Sequence, residues 1–135
     1  MKKINISFDY DDTLSRGQIH DFVLKRIDRT IFIPWVVTSR LSNDKIPKPS
    51  WNDDLWVDCG ILKIPKENIH FTNHTRKVDY FDKNSNFLFH IDDDLQEVND
   101  INEFTSVIGI DSFSHNWREE LEILMNEYKK LQTSF

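Results

Sequence analysis

Glycine is scarce in this chain of 135 residues, which has three, Gly17, Gly60 and Gly109, far apart from one another. That spacing excludes both the GxxxxGK[ST] phosphate loop and the GxGxxG dinucleotide turn, so any phosphate chemistry must proceed without a glycine-rich cradle. Cysteine is almost missing too. Cys59 alone forms neither an internal disulfide nor a CxxC pair, a usage that suits a reducing compartment and makes the cytoplasm the expected location. No apolar run is long enough to span a bilayer. The basic start Met1-Lys2-Lys3 is followed by only a short apolar stretch, which contains Asn5 and Ser7 and runs straight into acidic residues, unlike a signal peptide. Five histidines (20, 70, 74, 90 and 115) show no ligand-pair spacing and read as structural or surface groups. Positive charge is in deficit, with 17 Lys and Arg against 23 Asp and Glu and a net charge of −6. A hydrophobic fraction of 39% is nonetheless enough to build a core, which excludes disorder and suits a single domain over 1–135.

What is present is an alternation of strands and helices. Ile4, Ile6 and Phe8 alternate with Asn5 and Ser7 before the polar cluster Asp9 to Ser15, predicting a first strand that closes near Asp9. Ile19, Phe22, Val23 and Ile27 recur at three- and four-residue spacing, predicting a helix over 18–29. The near-continuous apolar run 31–37 predicts a strand covered on both faces, with Pro34 at a bend or strand start. Pro47 and Pro49 fix an irregular connection before a short helix over 52–59. Two pairs come next, a strand at 68–72 with a helix at 75–81, and a strand at 87–91 with a helix at 94–101. A strand at 106–110 and a helix from near Ser114, with Leu121, Leu124, Met125, Tyr128 and Leu131 on one face, complete the series. Five strands alternating with five helices predict a three-layer α/β/α sandwich on a mostly parallel five-stranded sheet.

In open parallel sheets the functional crevice lies beyond the carboxyl ends of the strands. At those ends stand Asp9-Tyr10-Asp11-Asp12-Thr13-Leu14, then Thr38-Ser39-Arg40, then Asp92-Asp93-Asp94 with Glu97 a turn later. Lys77 opens the helix before the fourth strand and is favoured over Lys83, which lies at that helix's far end. Carboxylates crowded at one edge repel one another unless protonation or a divalent cation relieves them. An all-oxygen donor set favours Mg2+. The plainer alternative is that the acidic runs only cap helices, with Thr38 a turn residue and Lys77 a surface lysine.

In this order, Asp9-x-Asp11-x-Thr13-Leu14, Thr38, Lys77 and Ile91-Asp92-Asp93-x-x-x-Glu97 resemble the four motifs of the haloacid dehalogenase (HAD) superfamily, over residues 4–97. The resemblance implies that Asp9 attacks phosphorus, a carboxylate needing no base at neutral pH. It implies that Asp11 protonates the leaving oxygen and later activates water. Thr38 would hydrogen-bond a phosphoryl oxygen, and Lys77 would neutralise charge in the transition state. Mg2+ would be held by the Asp9 carboxylate, the Asp11 backbone carbonyl, Asp92 directly, and Asp93 directly or through water. Asp12 departs from the family text, where glycine is usual. Thr38-Ser39-Arg40 resembles the Ser/Thr-Gly-Arg text of superfamily phosphatases of nucleotides and nucleic-acid ends, which implies that Ser39 and Arg40 reach the substrate.

Neither place where the superfamily inserts a cap domain has room for one here. By analogy, a capless member takes a large substrate or is closed by a partner subunit, a second copy included. Between Arg40 and Lys77 seven basic residues stand against five acidic ones, against the trend of the chain. Trp51 and Trp56 in this stretch either stack a base beside bound phosphates or pack on the sheet. The expectation is a Mg2+-dependent phosphomonoester hydrolase working through an aspartyl phosphate, on a phosphorylated small molecule, nucleotide or nucleic-acid end, with no membrane partner. The rivals are a phospho-accepting signalling module and a non-catalytic binding protein. Receiver domains place their acidic pair before the acceptor Asp, Thr and Lys, whereas here the second acidic pair comes after Thr38 and Lys77.

Overall fold

The computed structural model describes residues 2–133, so Met1 of the basic start lies outside the described residues. Ile6, Ser7 and Phe8 of β1 (Ile4–Phe8) are all fully buried although they point alternately to opposite faces. Only a strand covered on both sides satisfies that pattern. β2 (Phe32–Thr38) and β4 (Phe87–Asp92) flank β1 in parallel, so that Phe8 lies opposite both Val36 and Ile91. β3 (Ile69–Phe71) adds outside β2 and β5 (Ile108–Asp111) outside β4, giving an all-parallel sheet in the order β3-β2-β1-β4-β5. α1 (Gly17–Arg26), α2 (Asp53–Ile61) and α5 (Trp117–Thr133) cover one face, burying Phe22, Leu55, Cys59 and Leu121 with Ile6, Phe8 and Phe89. α3 (Lys77–Lys83) and α4 (Leu95–Phe104) cover the other, through Val78, Phe81 and Ile101 with Val37 and Phe87. The result is the three-layer α/β/α sandwich expected from the alternation.

Several boundaries differ from the periodicity, each for a local reason. α1 stops at Arg26 instead of running to 29, because the Asp28 carboxylate accepts from the Thr30 amide and hydroxyl and closes a turn. Pro34 makes no bend and sits inside an unbroken β2 opposite Ile6. β3 pairs only with Val36 to Thr38, so on that side no strand competes for the N–H that Pro34 lacks. α4 continues to Phe104, and Thr105 then accepts from the Val107 amide, delaying β5 to Ile108. α5 begins at Trp117, after a turn in which the Trp117 amide donates to the Ser114 carbonyl, and Leu131 at its far end is exposed rather than on the apolar face. Gly109 is the one glycine whose lack of a side chain is demanded, since a Cβ there would stand 2.7 Å from the Val98 carbonyl oxygen. Asn102 exploits this close approach by exchanging two hydrogen bonds with the Gly109 backbone on the otherwise open edge of β5.

Two features of the topology position a site. The chain runs outward from β1 through β2 to β3, then crosses back to β4 and β5, so strand order reverses between β1 and β4 and a crevice opens there. Between β1 and α1 lies only the tight turn Tyr10–Leu14, and between β2 and β3 only short turns and α2, so among the described residues no cap domain covers the crevice. Among the described residues, no helix is long and apolar enough to cross a membrane.

On the outer strand β3, His70 stacks on Tyr80 of α3 with ring centroids 4.0 Å apart. Burial holds its imidazole below the ordinary pKa. The unfolded chain therefore takes up a proton near pH 6.5 at this position that the folded chain refuses, so the contribution of His70 to stability falls as pH drops from about 7 towards 5. His70→Phe should flatten that fall in thermal melts across this range, leaving the contribution of the fully buried His90.

Candidate active site

Asp9 comes directly after β1 and Asp92 ends β4, so the pairing of the two strands across the switch point brings their carboxylates together. The Asp9 amide donates to the Ile91 carbonyl at 2.9 Å, which continues the ladder to the edge of the crevice. Between the two carboxylates lies Lys77, the first residue of α3. Its Nζ donates to Asp9 Oδ1 at 2.8 Å and to Asp92 Oδ2 at 2.6 Å, with 4% of the side chain exposed. Lys83, at the other end of α3, makes no part of this cluster. The start of α3 is pinned in turn, because the Lys77 amide donates to Glu97 Oε2 on α4 at 2.7 Å.

Burial is the largest influence on Asp9 and, with the charge of Asp92, raises its pKa well above the usual carboxylate range against the pull of Lys77. Asp92 is buried too, yet its hydrogen bonds to His90 and Lys77 outweigh desolvation and hold it below the ordinary value. Lys77 resists its own burial through the two carboxylates and stays protonated. Burial raises Asp93. Among the described residues, Asp9, Asp92 and Asp93 offer carboxylate oxygens that all lie within 4.8 Å of one another, a hard-donor set that fits a divalent cation.

No family model, no curated protein and no solved structure matches this chain.

Asp9, Asp11, Ser39, Lys77, Asp92 and Asp93 all line one cavity of about 330 Å3, together with His74, Arg76, Asp94 and Glu97. Asp94 caps α4 by accepting from the Gln96 and Glu97 amides, so the capping expectation holds for that member of the acidic run. Thr38 ends β2 at the same sheet edge, fully buried, and its hydroxyl accepts from the Arg40 amide at 3.2 Å. The neighbouring Ser39 lines the cavity in its place. Arg40 folds over the Tyr10 ring and bridges two carboxylates, gripping both oxygens of Asp11 at 2.8 and 3.0 Å and both of Asp54 at 2.8 and 2.9 Å. Asp12, in the place where glycine is usual, has φ 55°, a left-handed conformation that Asp tolerates better than most residues. A larger depression of about 500 Å3, between α1 and the start of α5, contains none of the acidic cluster.

Three residues of the site escape motif reading. Ser7 and His90 lie opposite each other on β1 and β4, and His90 Nδ1 is 2.7 Å from Ser7 Oγ while its Nε2 is 2.7 Å from Asp92 Oδ2. Beside an ionised Asp92 the imidazole carries its proton on Nε2, so Nδ1 accepts from the serine hydroxyl. The signal was a polar residue two before Asp92, which alternation puts on the same strand face. Asp54, the partner of Arg40, carries no signal beyond an acid in a helix's first turn. Cys59 is buried in the core with its thiol pKa pushed up to about 12, and takes no part.

Removing the ammonium leaves buried carboxylates facing one another without compensation. Lys77→Met should lower stability at pH 7 by about 3–5 kcal/mol in urea titrations. Lys83→Met should leave it within about 0.5 kcal/mol.

Proposed function

We propose that the chain is a Mg2+-dependent phosphomonoester hydrolase in which Asp9 is the nucleophile. The observation that carries this reading is the buried Lys77 ammonium, which holds Asp9 and Asp92 beside each other at the sheet's switch point with Asp93 in reach. Three carboxylates against one ammonium leave a dry cluster short of positive charge. Asp9, Asp92 and Asp93, with the Asp11 backbone carbonyl, would hold Mg2+, which would supply that charge and stabilise a phosphoryl group in the cavity.

An Asp9 oxygen then forms a bond to phosphorus as the bond from phosphorus to the ester oxygen breaks, giving an aspartyl phosphate. Asp11 donates a proton to the departing alkoxide. In the second step Asp11 takes a proton from water, the water oxygen bonds to phosphorus, and the acyl–phosphate bond breaks to return the Asp9 carboxylate and inorganic phosphate. Lys77 meets charge that moves between Asp9 and the phosphoryl oxygens, and His90 keeps Asp92 oriented. The HAD resemblance assigns the same roles to Asp9, Asp11 and Lys77. The expected setting is the cytoplasm.

Asp9→Asn should abolish Mg2+-dependent phosphate release from an aryl phosphate or a nucleoside monophosphate; equal release by the variant would overturn the nucleophile assignment. Beryllofluoride with Mg2+ should raise the melting temperature of the unmodified chain and leave that of Asp9→Asn unchanged. Stable phosphorylation of Asp9 without turnover would identify a phospho-accepting module instead.

A further inference from the structure

The two tryptophans between the second and third strands have different fates. Trp56 packs on Phe71 with ring centroids 5.7 Å apart and donates from Nε1 to Asn43 Oδ1 at 3.3 Å, so it belongs to the scaffold. Trp51 is 55% exposed, in the short turn Pro49–Asn52 ahead of α2. It lines a cavity of about 260 Å3 with Leu41, Ile46, Asn52, Arg40 and His74.

This cavity adjoins the acidic one. His74 lines both, and Arg40 spans the boundary, its guanidinium on the Asp11 carboxylate on one side and 3.3 Å from the Trp51 carbonyl on the other. The boundary is firmly built. The His74 amide donates to the Ser39 carbonyl at 2.8 Å, the Asn73 amide donates to the Arg40 carbonyl at 3.2 Å, and Asn73 Oδ1 accepts from the Ser42 amide at 2.8 Å. Together these bonds tie the loop after β3 to the loop after β2.

We propose that the second cavity is a nucleobase subsite, and that the substrate is a nucleoside phosphate, either free or at the end of a strand. The inference rests on the phosphatase reading above. An exposed indole offers a planar face on which any base can stack. Leu41 and Ile46 supply apolar walls, Arg40 and His74 polar groups, and the buried Asn52 fixes the wall by donating to the Leu41 carbonyl and to Asn43 Oδ1, the mixture that small-molecule sites use. Arg40 stands between the two cavities, bonded to Asp11 on one side and to the Trp51 carbonyl on the other, and a base joined to its phosphate through a ribose is the kind of substrate that would occupy both. Phosphorylated lipids and polyols have no planar group to place there.

The test measures kcat/KM in Mg2+ for glycerol phosphate, an aryl phosphate, nucleoside 3′- and 5′-monophosphates and oligonucleotides phosphorylated at either end. In Trp51→Ala the ratio of kcat/KM for the nucleoside substrates over that for glycerol phosphate should fall about ten- to a hundred-fold, mainly through KM, as expected for the loss of one base stack. Trp51→Phe should restore most of it. The better of the mononucleotides and the phosphorylated oligonucleotides identifies the source of the nucleoside phosphate. In Asp9→Asn, where turnover is not needed, a nucleoside monophosphate should quench indole fluorescence, and adding Trp51→Phe should remove most of the quench. An unchanged substrate ratio in Trp51→Ala, or no quench, overturns the subsite and leaves the phosphatase standing. A chain that hydrolyses none of these esters overturns the phosphatase, and the quench then decides the subsite separately.

Discussion

The ammonium of Lys77, closed in between Asp9 and Asp92, is the interaction on which the remainder of the site depends. Taking charges out of water costs several kcal/mol per ion, and only close, hydrogen-bonded pairing recovers it. That requirement fixes more than three side chains. It needs β1 and β4 in their observed register, α3 beginning at Lys77, and Glu97 holding the Lys77 amide so that the helix start cannot drift. Asp92 shows how fully the demand is met: Oδ2 accepts from Lys77 and His90, and Oδ1 accepts from the Asp94 amide. An anion so completely hydrogen-bonded stays ionised in spite of its burial.

The outer half of the cavity obeys a different rule. Asp11 and Asp54 are more than half exposed, so the Arg40 bridge between them is screened by water. Exposed ion pairs contribute about 0–1 kcal/mol each. Under the proposed function, a substrate phosphate on Arg40 would offer the same bidentate geometry with more charge and would displace Asp11 from the guanidinium at little cost. Asp11 is then free for the proton transfers proposed for it. The dry inner groups thus hold fixed positions while the wet outer pair can exchange partners, a division set by burial alone.

The fold was legible because hydrophobic period is a local property, and strands buried on both faces announce themselves as apolar runs. Errors gathered at element ends, where one side chain decides: Asp28 cuts α1 short by capturing Thr30, and Thr105 postpones β5. In the site, Asp9, Lys77, Asp92 and Asp93 were legible from residue type and order, since the carboxyl edge of a parallel sheet gathers the residues at the end of every strand. The partners that orient them were not. Ser7 and His90 meet across two strands 83 residues apart in sequence, and Asp54 reaches Arg40 from a helix whose docking angle no local pattern encodes. Trp51 and Trp56 have the same composition signal, yet Trp51 is exposed and Trp56 half-buried, a difference that comes from the packing of Trp56 on Phe71.

Scarcity of glycine has a counterpart in the loops around the cavity. Asp12, Asn73 and His74 all adopt left-handed backbone, with φ of 55°, 56° and 66°, where glycine would be relaxed. The cost is about 1–2 kcal/mol for each residue that carries a Cβ, least for the short polar side chains used here. Asn73 offsets part of it through the bond to the Ser42 amide. A glycine there would relieve strain but lose the tie between the two loops. His74 is held through its backbone, whose amide donates to the Ser39 carbonyl, and it stands where the acidic and indole cavities meet. Asp12 acts instead through its charge, which adds to burial and to Asp92 in raising the pKa of Asp93 against the hydrogen bond with Asp9 that lowers it.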